Sequence, residues 1–249
     1  DGLFRAGASE RRRFFDRQTM AHLPAHGRIC VAYEKAMRER NALLEQPRAD
    51  PAWLDAIEAR MAEEGAHIMH NRAHILARLQ RTIEARPDGH FPKAEISLSG
   101  PQASLSGLED IYAQTVDRLR GLLMEGRARD RAAGRCLIGP HRADLHVIHR
   151  PTGMPAHQAS TGQQKALLIG LILASAAALT EDSDAPRPLL LLDEAAAHLD
   201  QVRRAALFDE ICALGGQAWL TGTEAHLFEA FGDRAVHLKV EAGKVSRAK

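Results

Sequence analysis

Leu189-Leu190-Leu191-Leu192-Asp193-Glu194 joins four leucines to two acids. Such a run is too continuous for a strand with one wet face and predicts a strand buried on both. Its two carboxylates then fall at the carboxyl edge of a parallel sheet, where α/β folds bind ligands. Upstream, Ser160-Thr161-Gly162-Gln163-Gln164 opens an apolar helix whose longest run, Ala166 to Leu179, is fourteen residues and includes Gly170 and Ser175. That run is too short to span a bilayer and predicts a buried helix. Downstream, a helix is predicted over Arg203–Leu214, a turn at Gly215-Gly216, a strand over Gln217–Leu220, a helix over Glu224–Phe231 and a strand over Ala235–Val240. Alternation of helix and strand predicts an α/β layer with a mainly parallel sheet.

The residue types suggest a chemistry. In a nucleotide hydrolase the first acid of such a pair, here Asp193, holds Mg²⁺, and the second, Glu194, accepts a proton from attacking water. A Ser-x-Gly loop at a helix N-terminus offers backbone N–H groups and a hydroxyl to an anion such as a γ-phosphate. The plainer alternatives are a core strand leaving into an acidic loop and a helix simply capped by Ser160 or Thr161. What favours the chemistry is the ordered set: Ser160 to Gln163 before an apolar helix, Asp193-Glu194 after four leucines, then Leu199-Asp200 and Thr221-Gly222-Thr223.

The first half reads as helical. Arg28–Gln46 carries apolar or small residues near the 3.6-residue period, and Asp50-Pro51 supplies an N-cap and a first helical proline. From there Trp53, Ile57, Met61, Ile68, Ile75, Leu79 and Ile83 trace one stripe until Pro87-Asp88-Gly89 ends it. Two helices of unequal length predict a protruding hairpin. Phe91–Ser99 alternates in part as a strand does. Another amphipathic helix, with Ile111, Tyr112, Val116, Leu119, Leu122 and Leu123, then leads into Arg127-Ala128-Arg129-Asp130-Arg131. The expected division is a helical lobe over residues 1–134 and a head over 135–249.

The 249 residues are 45% hydrophobic and 26% charged, an ordinary globular composition that excludes a disordered or fibrous chain. The net charge of +1 hides two regions of opposite sign. Residues 118–150 hold eight arginines and three acids, whereas 181–214 hold eight acids and three arginines. Arg127, Arg129, Arg131 and Arg142 are therefore candidates for DNA phosphates. Against that stands a solvated helix face, with Arg142 paired to Asp144. Arg11, Arg12 and Arg13 pose the same choice. Aromatic residues are only 4%, which argues against base stacking on single strands. Cys30, Cys136 and Cys212 lie far apart, which fits a reducing compartment better than a disulfide framework. His67, His70 and His74 on the long helix, and His141, His146 and His149 with Asp144, have spacings a metal could use, but solvated or structural histidines fit them better. There is no secretory signal, and the opening at Asp1 rather than methionine suggests a fragment of a longer protein.

Taken together, the ordered motifs resemble the C-terminal half of the ABC-type ATPase head shared by SMC-like proteins and the RecF family of recombination mediators. Ser160-Thr161-Gly162-Gln163 resembles the ABC signature, with Ala159 for the usual leucine and Thr161 for the first glycine. Residues 189–194 resemble the Walker B strand, Ala197-His198-Leu199-Asp200 the D-loop and Thr221-Gly222-Thr223 the switch, Thr223 standing where ABC heads usually have histidine. Arg11 to Arg17, Pro24 to Gly27, Tyr33 to Ala36 and Gly139-Pro140-His141-Arg142-Ala143-Asp144 are similar to the RecF family in particular. A register one residue later, with Thr161 as the signature serine, stays open. No G-x-x-x-x-G-K-[ST] occurs, and in that family the phosphate loop lies upstream of the part matched here.

The resemblance implies a cytoplasmic DNA-repair protein with no membrane segment. It would bind double-stranded and gapped DNA in an ATP-dependent way and assist RecA loading with RecR and RecO, in recombination, replication restart and the SOS response. It implies ATP and Mg²⁺ as cofactors and an ATP-dependent homodimer. Asp193 would position Mg²⁺ and Glu194 would be the general base. Ser160, Gly162, Gln163, Asp200 and Thr223 would serve nucleotide binding, the signature acting on the partner's ATP. By itself the chain, lacking the phosphate loop, is expected to be inactive as an ATPase. An ATPase-inactive DNA-binding scaffold and another SMC-like head are the alternatives. The second would require longer heptad arms than residues 28–86 provide.

Overall fold

Apolar spacing along the first half builds three long helices, and a computed structural model, describing residues 2–100, 111–181, 187–197 and 199–247, shows how they pack. Helix α1 (Ala8–His22) leads into α2 (His26–Glu45), and α3 (Pro51–Ala85) runs back beside it. Asp50 caps α3 by accepting the Ala52 N–H at 2.9 Å, with Pro51 in the first turn as expected. Strand β1 (Ala94–Ser99) follows, then α4 (Ile111–Ala133), which continues without a break through the arginine-rich segment. Tyr33, Leu43, Leu44, Leu54, Ile57, Met61, Ile68 and Leu123 form the core of this three-helix lobe. Trp53 is not part of the buried stripe. It is 60% exposed, because Leu54 takes the inward position in the first turn of α3.

Residue 134 is not a break in packing. Strand β1 pairs antiparallel with β2 (Asp144–His149), Ile96 opposite Val147, and β2 pairs with the short β3 (Met154–Pro155). The inward side chains of β1 and β2 join Phe4, Phe15, Ile75, Leu79 and Ile83 in a core that also takes Leu167 and Leu171. These last two lie on α5 (Thr161–Thr180), the apolar helix, which is the one described helix long and apolar enough to cross a membrane. It is mostly buried inside the protein.

The opposite side of α5 supports the head. Strand β4 (Leu190–Leu192) pairs in parallel with β5 (Ala218–Leu220), and α6 (Gln201–Leu214) connects them, closing on Gly215 at φ 63°. A left-handed C-cap of that kind suits glycine because no Cβ meets the preceding carbonyl. Leu190, Leu192, Leu207, Phe208, Ile211 and Leu173 fill this core.

Three expectations change here. The leucine strand is buried on one face only: Leu191 is 71% exposed, as is its cross-strand partner Trp219 at 51%, because α5 and α6 cover just one side. Residues 225–234 form 3₁₀ turns kinked at Gly232 instead of an α-helix. The last strand is β6 (Leu238–Glu241), which turns through Ala242 and Gly243, both at positive φ, to pair antiparallel with β7 (Lys244–Arg247). It does not extend the parallel pair.

Candidate functional site

Parallel pairing in register brings the two strand ends together. Leu192 lies opposite Leu220, so Asp193 and Thr221 leave the sheet side by side, and the Thr221 N–H donates to the Leu192 carbonyl at 3.1 Å. The Thr221 hydroxyl donates to Asp193 Oδ1, and the Glu194 N–H donates to the same hydroxyl oxygen at 3.2 Å. On the other side Lys165 Nζ donates to the Glu194 carbonyl at 3.2 Å. Burial lowers the pKa of Lys165, and the nearby Glu194 charge opposes that shift. Glu194 is thus clamped at both ends of its peptide with φ at 52°, while its carboxylate and that of Asp193 stand exposed. A non-glycine residue held in the left-handed region is a strained feature of the kind that collects at functional sites.

Lys165 also ties this edge to the N-terminus of α5. There Ser160 and Gln163 form a full capping box: the Gln163 N–H donates to Ser160 Oγ at 3.3 Å, and the Ser160 N–H donates to Gln163 Oε1 at 2.9 Å. The box uses only acceptor oxygens of the two side chains. The Ser160 O–H and the Gln163 amide N–H groups remain to donate outward, and Ser160, Thr161 and Gly162 are exposed. Buried Gln164 shapes the preceding loop by donating to the carbonyls of Ala159 and His157.

Asp200 caps α6 by accepting the Arg203 N–H at 2.8 Å, which lowers its pKa. His198 lies outside the described residues. Thr223 is exposed, and its side chain makes no hydrogen bond among the described residues. Of the two hydroxyls in Thr221-Gly222-Thr223 it is Thr221 that reaches the acids, a contact its sequence position alone does not distinguish from one by Thr223.

The arginines divide. Arg127 lies on α4 with its guanidinium on Glu58 and Asp55, and these hydrogen bonds raise its pKa against the effect of burial. Glu58 also accepts from Arg40, whose other nitrogens reach Asp130 and the Leu123 carbonyl in the lobe's interior. Arg131 Nε donates to the Leu44 carbonyl at 2.7 Å. Arg129 and Arg142 face solvent. The Arg142–Asp144 pair, the alternative to a DNA contact, is replaced by a two-toothed contact to Asp144 from Arg11, at 2.8 and 2.6 Å, because α1 packs against β2. Arg13 pairs with Glu10.

His67, His70 and His74 are exposed. His141 and His149 have their own partners: His141 accepts from the Tyr33 hydroxyl at 2.8 Å, and His149 meets Thr152. Among the described residues the one group with ligand atoms close enough for a metal is Asp16, His26 and Cys30. Arg72 already covers that carboxylate, at 2.7 and 2.8 Å. Burial works against the Asp16 charge, but His26 and Arg72 outweigh it and hold the pKa below the usual range. Burial pushes the Cys30 thiol up to about 12. A protonated thiol beside a guanidinium is a structural knot, not a cation site.

No family profile matches the chain. It is 53% identical over 247 residues to the DNA replication and repair protein RecF of Brucella abortus, covering 99% of this chain and 64% of that protein. It is 49% identical over 247 residues to RecF of Rhizobium meliloti, covering 99% of this chain and 65% of that one. A solved structure of the recombination mediator protein RecF-ATPrS in the RecFOR pathway superimposes with a TM-score of 0.79 at 23% identity, over 100% of this chain and 65% of its own. The RecF-ATP structure gives 0.77 at 22% identity, over 99% and 65%. The fold is thus that of RecF, and the chain spans a little under two thirds of the relatives it matches. With curated relatives so similar along nearly its whole length, the chain belongs to the RecF family, as the C-terminal portion of such a protein.

Proposed function

We propose that the chain is the signature-bearing part of a cytoplasmic RecF-like recombination mediator. The intact protein binds double-stranded DNA at gaps and single-strand junctions under control of ATP. With RecR and RecO it assists RecA loading in repair, replication restart and the SOS response. The observation that carries this reading is the joined edge formed by Asp193, Glu194 and Thr221, which Lys165 ties to the α5 N-terminus. It is supported by the RecF relatives, two of whose solved structures are named with ATP or ATPrS.

The residues fit the implied ligands. Exposed carboxylate oxygens on a rigid strand end are the hard donors that Mg²⁺ takes, and Mg²⁺ when bound neutralises charge on a triphosphate. Asp193 holds that ion, its oxygen oriented by Thr221. Glu194 accepts the proton of the attacking water. Ser160, Gly162 and Gln163 donate to phosphate oxygens of nucleotide held by a partner subunit, so ATP joins a homodimer. Asp200 and Thr223 lie on the loops that meet across that joint. Residues 1–134 act as the helical lobe and 135–249 as the head.

Glu194→Gln in the intact protein tests the assignment. ATP binding and ATP-dependent dimers should persist while hydrolysis slows roughly a hundredfold, the scale of losing a general base. Unchanged turnover removes Glu194 from the role. The 249-residue chain alone, without a phosphate loop, should show no turnover.

A further inference from the structure

Two of the buried or half-buried charge groups among the described residues balance differently. In the lobe, Arg40 and Arg127 face three carboxylates, those of Glu58, Asp130 and Asp55. Where α1 meets the turn before β2, Arg11, Arg12, Arg72 and Arg142 face only Asp16 and Asp144. Arg11 is taken by Asp144 and Arg72 by Asp16. Among the described residues Arg12 has no acid of its own. Its Nη1 donates to the carbonyl of Ala143, the residue next to Arg142, at 2.7 Å. That bond holds Arg12 against the turn that carries Arg142 without neutralising its charge.

We propose that Arg12 and Arg142 form a clamp for the phosphodiester backbone of double-stranded DNA. This rests on the DNA-binding reading above and gives it a place on the molecule. The lobe's arginines are over-neutralised and hold helices together, whereas this pair carries uncompensated positive charge at the surface. Burial disfavours the charge on Arg12, and Arg72 and Arg142 add to that effect while Asp16 and Asp144 oppose it. An incoming anion relieves such repulsion, and a nearly fixed guanidinium loses little side-chain freedom on binding.

The turn that carries Arg142 is held from every side. The Tyr33 hydroxyl donates to His141 Nδ1 at 2.8 Å, His141 Nε2 donates to the Cys136 carbonyl at 3.0 Å, and Arg72 donates to the Pro140 carbonyl at 2.8 Å. Gly139, at φ 135°, lets Tyr33 approach so closely that a Cβ there would lie 2.2 Å from the hydroxyl. The backbone under Arg142 is thus fixed before any ligand arrives. It contacts phosphates rather than bases, so it binds without regard to sequence.

Anisotropy of a labelled duplex of about 30 base pairs, titrated with the intact protein and ATP between about 50 and 200 mM KCl, tests this. Arg142→Ala and Arg12→Gln should each weaken binding roughly three- to tenfold for any sequence and lower the salt slope by about 1. Arg12→Lys should keep most of the affinity, and Arg48→Ala, in the turn between α2 and α3, should change nothing. Because Arg142 is exposed, its variant reads binding even if Arg12→Gln disturbs packing. An unchanged slope in Arg142→Ala overturns the clamp and leaves the DNA-binding reading standing. No salt-dependent binding by the unsubstituted intact protein with ATP overturns both. Thermal stabilisation by millimolar inorganic phosphate that Arg142→Ala abolishes, with duplex binding intact, shows a free-anion site and also overturns the clamp.

Discussion

The Glu194 N–H donates to the Thr221 hydroxyl at 3.2 Å, and the hydroxyl's own proton goes to Asp193. One side chain from β5 therefore fixes both acids at the end of β4. Thr221→Val keeps the shape and removes both bonds. In the intact protein it should lower ATP turnover by about tenfold, equivalent to about 1.4 kcal/mol of lost orientation, with ATP affinity little changed. A loss of ATP affinity with turnover at saturating ATP unchanged would show that Thr221 serves binding alone.

The lobe holds an ion network whose centre has no solvent access: Arg40 and Glu58 are each fully buried, and Asp130 nearly so. Removing one partner leaves another's charge uncompensated. Glu58→Ala should cost about 3–5 kcal/mol in urea unfolding, enough to unfold the lobe of a marginal protein. Asp55→Ala touches only the exposed end of the same network and should cost under about 1 kcal/mol. Similar costs for the two would mean the network is not the support it resembles.

What could be read from sequence followed from local rules. Asp50-Pro51, Gly215 and the alternation of residues 94–99 each act within a few positions, and the structure has them as expected. Trp53 was misplaced because the 3.6 period cannot say which of Trp53 and Leu54 faces the second neighbouring helix. Leu191 was expected to be buried because a run of leucines says nothing of what covers each face. Arg11 reaches Asp144 across 133 positions and Arg127 reaches Glu58 across 69. Charge counts reveal the arginines but not these distant partners, so the choice between a DNA contact and an internal ion pair needed the packing of α1 on β2 and of α3 on α4. Thr221 was hidden differently: the Thr-Gly-Thr switch offers two hydroxyls, and only the strand register selects one.

His22, in the last turn of α1, has a buried Nδ1 without a partner among the described residues and Nε2 3.4 Å from Ser175 Oγ. Burial lowers its pKa from 6.5 to about 4, with Arg78 and His74 adding to the shift and Glu181 opposing it. The unfolded chain takes up this proton near pH 6.5 and the folded chain only near 4. The contribution to stability is therefore complete above 6.5, falls as the pH drops through that window and is flat below 4. In urea unfolding the unsubstituted chain should lose stability between pH 7.5 and 4.5 by more than His22→Gln does. Parallel losses in the two would exclude His22 as the source.

Ser160 is both the N-cap of α5 and the proposed contact to a partner's ATP, and the two roles separate on substitution. As a cap it accepts one N–H from Gln163, and Ser160→Ala should cost about 1 kcal/mol in the unfolding of the 249-residue chain. Ser160→Arg loses the same cap and places a long cationic side chain at an exposed helix terminus. If the hydroxyl serves only its own helix, Ser160→Arg in the intact protein should lower stability by a similar amount and leave assembly untouched. If the proton not used by the capping box reaches the partner's nucleotide, ATP should still bind to each subunit while ATP-dependent dimers fail to form and hydrolysis falls with them. Sedimentation of the intact variant with and without ATP reads the difference directly. Gln163→Glu adds a control: it can preserve the capping box through a carboxylate oxygen but removes the outward amide donors and places negative charge near the phosphates. It should therefore weaken dimers at little cost to the helix. A normal ATP-induced dimer in both variants would assign residues 160–163 to capping alone.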